Sequence, residues 1–473
     1  MPIGDRIGGF IRPGFNPLLA PGAPTIGTAS SGGALNISIA FTAPSDVGGG
    51  AITSYEAVAT DTVTGASFSA TGTSTPISIT GLTEGQSYTT TVTAINAYGP
   101  SGISAASNSV QAETVVGELW SWGYNNMGQL GLGDTTDRSS PVQVGALITW
   151  KQLSMGERWT AATTADGKLY TWGEASDGQL GHSNTTALSS PVQVGALTTW
   201  SNVASLLDTS ASVKTDGTLW TWGSGTQGRL GDGTTVAKSS PIQVGALTDW
   251  LRVSAGTTHC LSTKTDGTLW SWGSGGAGQL GDNAQTNRSS PVQVGVLTTW
   301  ATIKAGSQWS AGITTDGKLY IWGVSSYGAG GQGNTTETSS PVQVGALTTW
   351  AEVACAKSSA IAVKTDGTLW TWGYATYGLL GNGTTSPNIS SPVQVGSLTN
   401  WALVIAGDRN VYAVKTDGTL WAWGIASNGA LGNGTTSPQI NSPIQIGALT
   451  TWLEIPGIGI HTEGSGLMIK TVS

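Results

Sequence analysis

Seven copies of one tryptophan-centred motif, spaced almost evenly over residues 117–473, limit what this chain can fold into more than any other feature. In the clearest copy, Leu219-Trp220-Thr221-Trp222-Gly223 is followed by Gly228-Arg229-Leu230-Gly231, then by Ser239-Ser240-Pro241-Ile242-Gln243-Val244-Gly245, then by Trp250. The second Trp of the Trp-x-Trp-Gly element falls at Trp122, Trp172, Trp222, Trp272, Trp322, Trp372 and Trp423, a spacing of 50 residues five times and 51 once. A fixed period of this length means one supersecondary unit repeated. No unit can bury its apolar face alone, so neighbours must stack.

Each unit reads as four short strands. Trp120 and Trp122 lie two apart and share one strand face, as do Val142 and Val144. Trp200-Ser201-Asn202-Val203 and Ala211-Ser212-Val213-Lys214 fit two further strands. Asp-Gly pairs at 216–217, 266–267, 316–317 and 366–367 supply turns, and no window has helical periodicity. Four-stranded units repeated radially give a β-propeller, which leaves only short, protected edges. Lys470-Thr471 aligns with Lys214-Thr215 just before an Asp-Gly turn, and Gly117-Glu118-Leu119-Trp120 begins just after the place of one. Leu467–Thr471 is therefore expected to pair in the same blade as Leu119–Trp122 and to close the ring.

All 21 Trp lie in the repeats. Twelve sit in the Trp-x-Trp-Gly strands and seven open the third strand of the motif (Trp150, Trp200, Trp250, Trp300, Trp350, Trp401, Trp452), leaving Trp159 and Trp309. Packing between blades is the expected role of the first nineteen, because large aromatic side chains dominate core energetics.

The pattern Leu-Trp-x-Trp-Gly, Gly-Gln-Leu-Gly, Pro-Val-x-Val, Trp-x-x-Val and Thr-x-Asp-Gly resembles the regulator of chromosome condensation repeat. The resemblance covers about three quarters of the chain and implies a seven-bladed propeller. That family's best-known role, guanine nucleotide exchange on a small GTPase with chromatin binding, is a weaker implication. The units are nearly uniform, His259 alone matches the family's Gly-x-x-His position, and the basic tail is absent.

Residues 22–115 form a separate unit without Lys or Trp, with alternating strands at Asn36–Phe41, Ser54–Thr60, Ile77–Ile79 and Tyr88–Ile95. Gly81-Leu82-Thr83-Glu84-Gly85-Gln86-Ser87-Tyr88, followed by Val92 to Gly99, is similar to the late strands of fibronectin type III domains. Pro24, Ile52 and Tyr55 fit that likeness, and Phe41 stands where the family usually has a core Trp. The fold expected for the whole chain is all-β: residues 1–21 an extended arm, 22–115 an immunoglobulin-like (fibronectin type III) β-sandwich, and 116–473 a seven-bladed β-propeller. The arm is broken by Gly and Pro, lacks a signal-like or spanning apolar run, and is too apolar for a solvated tail. Ile7, Phe10, Ile11, Phe15 and Leu18 are its candidate anchors on a partner.

Chemistry is sparse. With 10% charged residues and a net charge of −8, the chain lacks the clustered Lys and Arg of a nucleic-acid surface. Its three His (His182, His259, His461) fall in different registers, and no zinc spacing, phosphate loop or nucleophile-base motif occurs, so no catalytic, metal or cofactor site is expected. Cys260 and Cys355 fall in different units and read as small core residues, with no disulfide expected between them. The strands are almost identical between copies, whereas three loop segments differ, as on a scaffold that presents a binding face. Trp159, Asp208, His259, Trp309, Lys357 and Arg409 are the candidate contacts on that face. Arm, spacer and uncharged propeller together look like a non-enzymatic virion structural protein: a bacteriophage fibre, decoration or receptor-binding protein. Its expected partners are other virion proteins through the arm, within an oligomeric assembly, and a host glycan or protein through the propeller loops. No membrane insertion is expected. A bacterial cell-surface adhesin is the alternative reading, and an exchange-factor-like regulator a more distant one.

Overall fold

A computed structural model of the chain describes residues 19–33, 36–63, 65–82, 86–112, 116–205, 207–436, 439–452 and 464–471. The five arm anchors and His461 lie outside these residues. The described secondary structure is β, apart from single 3₁₀ turns at Thr226–Gly228, Thr376–Gly378 and Ser427–Gly429. Among the described residues no helix is long and apolar enough to cross a membrane. The chain divides into two compact units between Val115 and Val116.

The N-terminal unit has two antiparallel sheets. One orders Thr25–Gly33, Asn36–Thr42 and Ile77–Ile79; the other orders Ser67–Gly72, Ile52–Asp61, Ser87–Asn96 and Gly99–Pro100, with Val110–Gln111 also against Ser87–Asn96. Period-two burial along Ser87–Asn96 places Tyr88, Val92 and Ala94 in one core with Ile37, Ile39, Phe41 and Ala57. The buried Asn96 amide donates to the carbonyls of Leu19 (3.0 Å) and Val47 (2.8 Å), and its oxygen accepts the Tyr98 N–H.

The second unit is a ring of seven blades among the described residues. Blade 3 shows the plan, with Trp200–Ser205, Thr209–Lys214, Leu219–Gly223 and Lys238–Gln243 in consecutive antiparallel order. The first three strands are mostly buried, and the last is partly exposed along its length. Blade 2 spans 150–193, blade 4 250–293, blade 5 300–343, blade 6 350–394 and blade 7 401–445. Blade 1 is assembled from both ends of the unit. Ser465–Thr471 pairs residue for residue with Gly117–Gly123, Arg138–Gln143 flanks the other side, and Trp452 bridges to Lys470. This is the closure expected from the alignment of the two ends.

The blades are joined by one repeated hydrogen bond. The indole N–H of Trp222 donates to the Gln179 carbonyl of the preceding blade at 2.8 Å. Trp122, Trp172, Trp272, Trp322, Trp372 and Trp423 make the same bond to Ala430, Gln129, Arg229, Gln279, Ala329 and Leu379. The Trp122 bond crosses the point of closure. The bond also accounts for the final glycine of Gly-Gln-Leu-Gly. Gly231 has φ +70°, and a Cβ there would come within 3.0 Å of the Trp272 indole nitrogen. Fourteen of the nineteen framework indoles, the second Trp of each Trp-x-Trp-Gly strand and the first-strand Trp, are buried between blades, and the other five are half-buried; the first-strand Trp meet the strand indoles edge-to-face or tilted, as Trp200 does with Trp222 at 5.8 Å.

Candidate functional site: the loop face of the propeller

Antiparallel order puts the loop between a blade's first and second strands at the same end as the loop between its third and fourth. Hydrogen bonds tie the two together in successive blades: Glu174 N–H to the Arg158 carbonyl, Ser224 to Asp208, Ser274 to Thr258, Val324 to Gln308, Tyr374 to Ser358 and Ile425 to Arg409. All three variable segments therefore lie on one face. The opposite face is made of the uniform Asp-Gly turns and the loops that lead into the next blade.

Three of the six expected contacts do not belong to that surface. Trp159 and Trp309 are fully buried. Each is the first residue of a second strand, and each indole reaches the following blade: Trp159 donates to the Leu207 carbonyl at 2.8 Å, Trp309 to those of Ala356 and Lys357 at 3.2 Å. They are latches between blades, and the expectation that they are contacts on the loop face is corrected. His259 occupies the same register, is fully buried, and shares a 2.7 Å hydrogen bond with Ser310 of the next blade. Burial pushes its pKa down to about 3, so the ring is neutral at ordinary pH and forms no part of a contact surface. Burial likewise holds the free thiols of Cys260 and Cys355 in protonated form.

The other three residues fall in two regions of opposite character. Asp208 is partly buried on blade 3, and its pKa rises to about 6. Burial is the main cause, reinforced by the charges of Asp177, Glu157 and Glu174 and opposed by Arg229. This is the acidic side of the face. Across the ring, Lys357 of blade 6 and Arg409 of blade 7 flank one carboxylate, Asp408, at 3.7 and 3.8 Å. The cations are exposed (59% and 50%) and Asp408 is not (5%). Burial raises the Asp408 pKa, and the two cations act against that rise.

Beside the cations lies a cluster that the sequence reading did not single out. Tyr327 of blade 5 packs on Tyr374 of blade 6 with ring centroids 4.5 Å apart, and Tyr374 meets Tyr377 at 6.4 Å. The Arg409 guanidinium sits 5.3 Å from the Tyr377 centroid. Tyr327 is 43% exposed. Other copies carry Tyr124, Glu174, Ser224 or Ser274 in the register of Tyr374, and Met127, Asp177, Gln227 or Ala277 in that of Tyr327 and Tyr377. The aromatic residue confined to two adjacent copies in the second register was the available signal. Among the described residues no group of His, Cys, Asp or Glu could hold a metal ion.

Comparison with known proteins agrees with this architecture. Residues 209–462 match the RCC1-like domain, and residues 116–163 and 166–205 match the regulator of chromosome condensation (RCC1) repeat. Human WBSCR16 superposes with TM-score 0.66 at 18% identity, over 75% of this chain and 99% of that one. Prp20p of Saccharomyces cerevisiae, described with its binding properties to Gsp1p and histones, gives 0.66 at 19%, over 76% and 92%. Yeast RCC1 (Prp20) in the structure with Kap60 gives 0.66 at 18%, over 76% and 90%. At these identities the likeness concerns the fold alone. No curated protein sequence matches the chain. Repeats, ring and family match together place the chain in the RCC1-like domain family.

Proposed function

We propose that this chain is a non-enzymatic contact protein displayed on a particle or cell surface, and that it is a virion structural component held by residues 1–21. The observation that carries the reading is the division of labour within the ring. Repeated Trp, Gly and Asp-Gly positions are consumed by blade packing, and side-chain individuality is gathered on one loop face. A fixed scaffold with one variable face favours recognition over turnover. Prp20p, by its description, binds Gsp1p and histones, which supports protein contact as a use of such rings. The strand order of the N-terminal unit, three strands against a second sheet of four with a short extra pairing, supports reading it as a fibronectin type III spacer. The apolar anchors Ile7, Phe10, Ile11, Phe15 and Leu18 would dock on neighbouring virion proteins. Deleting residues 1–21 is expected to abolish co-sedimentation with assembled particles while leaving the propeller folded. Retained co-sedimentation refutes the anchor. Export of the full-length chain to a bacterial surface, in the absence of particles, favours the adhesin instead.

A further inference from the structure

We propose that the tyrosine cluster on blades 5 and 6, with Lys357 and Arg409, is a binding site for an acidic pyranose sugar of the uronic or sialic acid class. The inference rests on reading the loop face as a contact surface, and it names the ligand and the place.

The chemistry is asymmetric in a way that selects charge. Glu157, Glu174, Asp177 and Asp208 crowd blades 2 and 3, where an anion is repelled. Lys357 and Arg409 flank the buried carboxylate of Asp408, which also feels the charge of Glu157, so the exposed charges that an anion meets at this carboxylate are the two cations. The Arg409–Asp408 separation of 3.8 Å exceeds hydrogen-bond length. Asp408 therefore helps fix where Arg409 stands without using up its donors, and a guanidinium has five to offer. Arg presents them as a planar fork that matches a second carboxylate.

The neighbouring rings supply the other half of a sugar site. Tyr327, Tyr374 and Tyr377 form a contiguous aromatic surface within 6.4 Å steps, with Arg409 beside the last of them. Tyrosine gives a rigid apolar face with a polar hydroxyl at its edge. That combination suits a pyranose, whose C–H groups lie on one face and whose hydroxyls project round it. An acidic peptide fits less well. Peptide recognition draws on an open strand edge or on pockets for alternate side chains, whereas this loop backbone is already engaged, Tyr374 N–H with the Ser358 carbonyl and Gly378 N–H with that of Ala375.

The test is calorimetric titration of the full-length protein with sialic acid- and glucuronate-terminated oligosaccharides, alongside neutral sugars of the same length and a glutamate-rich peptide. Acidic sugars are expected to bind at least about tenfold more tightly than the neutral ones. Arg409→Gln and Tyr374→Ala should each weaken binding about tenfold or more, and Val296→Ala, in an exposed loop of the opposite face, should leave it unchanged. Lys357→Gln, at a well-exposed position, serves if Tyr374→Ala unfolds. Equal binding of neutral sugars, binding indifferent to these variants, no binding of acidic sugars, or preference for the peptide each overturns the site. Particle co-sedimentation is a separate readout: it fails with the broader reading of function and does not respond to loss of sugar binding.

Discussion

At the scale of single residues, the repeats contain three solutions to one packing problem. In four blades a Lys ends the second strand, and its ammonium lies over two indoles: Lys214 is 3.5 Å from the Trp220 centroid and 4.7 Å from that of Trp200. Lys264, Lys364 and Lys415 repeat this. The exposed edge of that tryptophan also carries an N–H, which donates to Thr218 at 2.8 Å, and Thr218 in turn donates to Asp216. Blades 2 and 5 have Tyr170 and Tyr320 in place of this Trp, and the other two positions change with it. Thr164 and Thr314 replace the Lys, while Lys168 and Lys318 take the place of Thr218 and pair with Asp166 and Asp316 at 2.6 and 2.7 Å. Tyrosine has no ring N–H to satisfy, so the threonine acceptor is no longer needed. Blade 1 offers a third version, in which Glu118 accepts from both Trp120 and Lys470.

Asp208 gives the residue-scale prediction. Its folded-state pKa of about 6 exceeds the roughly 3.9 of an unfolded aspartate. The folded state therefore binds the extra proton between these values. The associated stability is fully present below about pH 4 and is lost as pH rises through about 6. Asp208→Asn removes the penalty of a charge crowded by three other carboxylates. Above pH 6 the variant should be more stable in urea unfolding, by on the order of 1 kcal/mol once solvent screening is allowed for. The difference should vanish near pH 4. A pH-independent difference would mean that Asp208 is not the titrating group.

At the scale of elements, the segment after Gly99–Pro100 shows how a short pattern replaces a strand. Ser101, Ser104 and Ser107 recur every three residues beside Ser87–Asn96, which advances two residues for each step. The N–H of each serine donates to a carbonyl of that strand, at Ala94, Val92 and Thr90, and each hydroxyl oxygen accepts the N–H of the same residue. Side-chain oxygens thus complete a ladder whose partner backbone is out of register. Ser104→Ala leaves the Val92 N–H in the core without an acceptor. We expect a loss of about 1–3 kcal/mol in chemical denaturation of the N-terminal unit, against a few tenths for Ala105→Ser at an exposed neighbour.

Legibility from sequence follows the same division. Blade number, strand pairing within a unit and ring closure depend on local patterns written seven times, so the spacing of Trp and Gly sufficed. The contact face was only partly legible. Trp159, His259 and Trp309 stand one residue inside a strand, and one position at a strand end separates a loop side chain from a buried one. The tyrosine cluster with its Arg409 needs loops from blades 5, 6 and 7 to meet, a non-local fact that no single copy displays. The serine ladder was visible as Ser-x-x-Ser-x-x-Ser but matches neither the strand period of two nor the helical one.

At the scale of the whole molecule, the ring depends on its last strand. Without Ser465–Thr471, Gly117–Gly123 loses the pairing on one flank and Trp452 loses its bridge to Lys470. An open, apolar strand edge is a template for association. Truncation at residue 464 should therefore lower the thermal midpoint and increase the aggregate seen on size-exclusion chromatography. Joining residue 471 to 117 by a short linker and opening the chain at an Asp-Gly turn such as 266–267 should preserve both properties. A truncated protein as soluble and stable as the full chain would show that closure contributes nothing.

The same blade determines how the protein answers to mechanical load. Tension arriving from the N-terminal side enters the propeller at Gly117, on a strand hydrogen-bonded along both flanks, to Arg138–Gln143 and to Ser465–Thr471. Pulling along that strand strains two ladders in shear at once, and many bonds must break together before it slides. A propeller whose ends met at a loop would instead unzip one bond at a time, so weaving first and last strands into one blade sets two ladders between the point of entry and release of the strand.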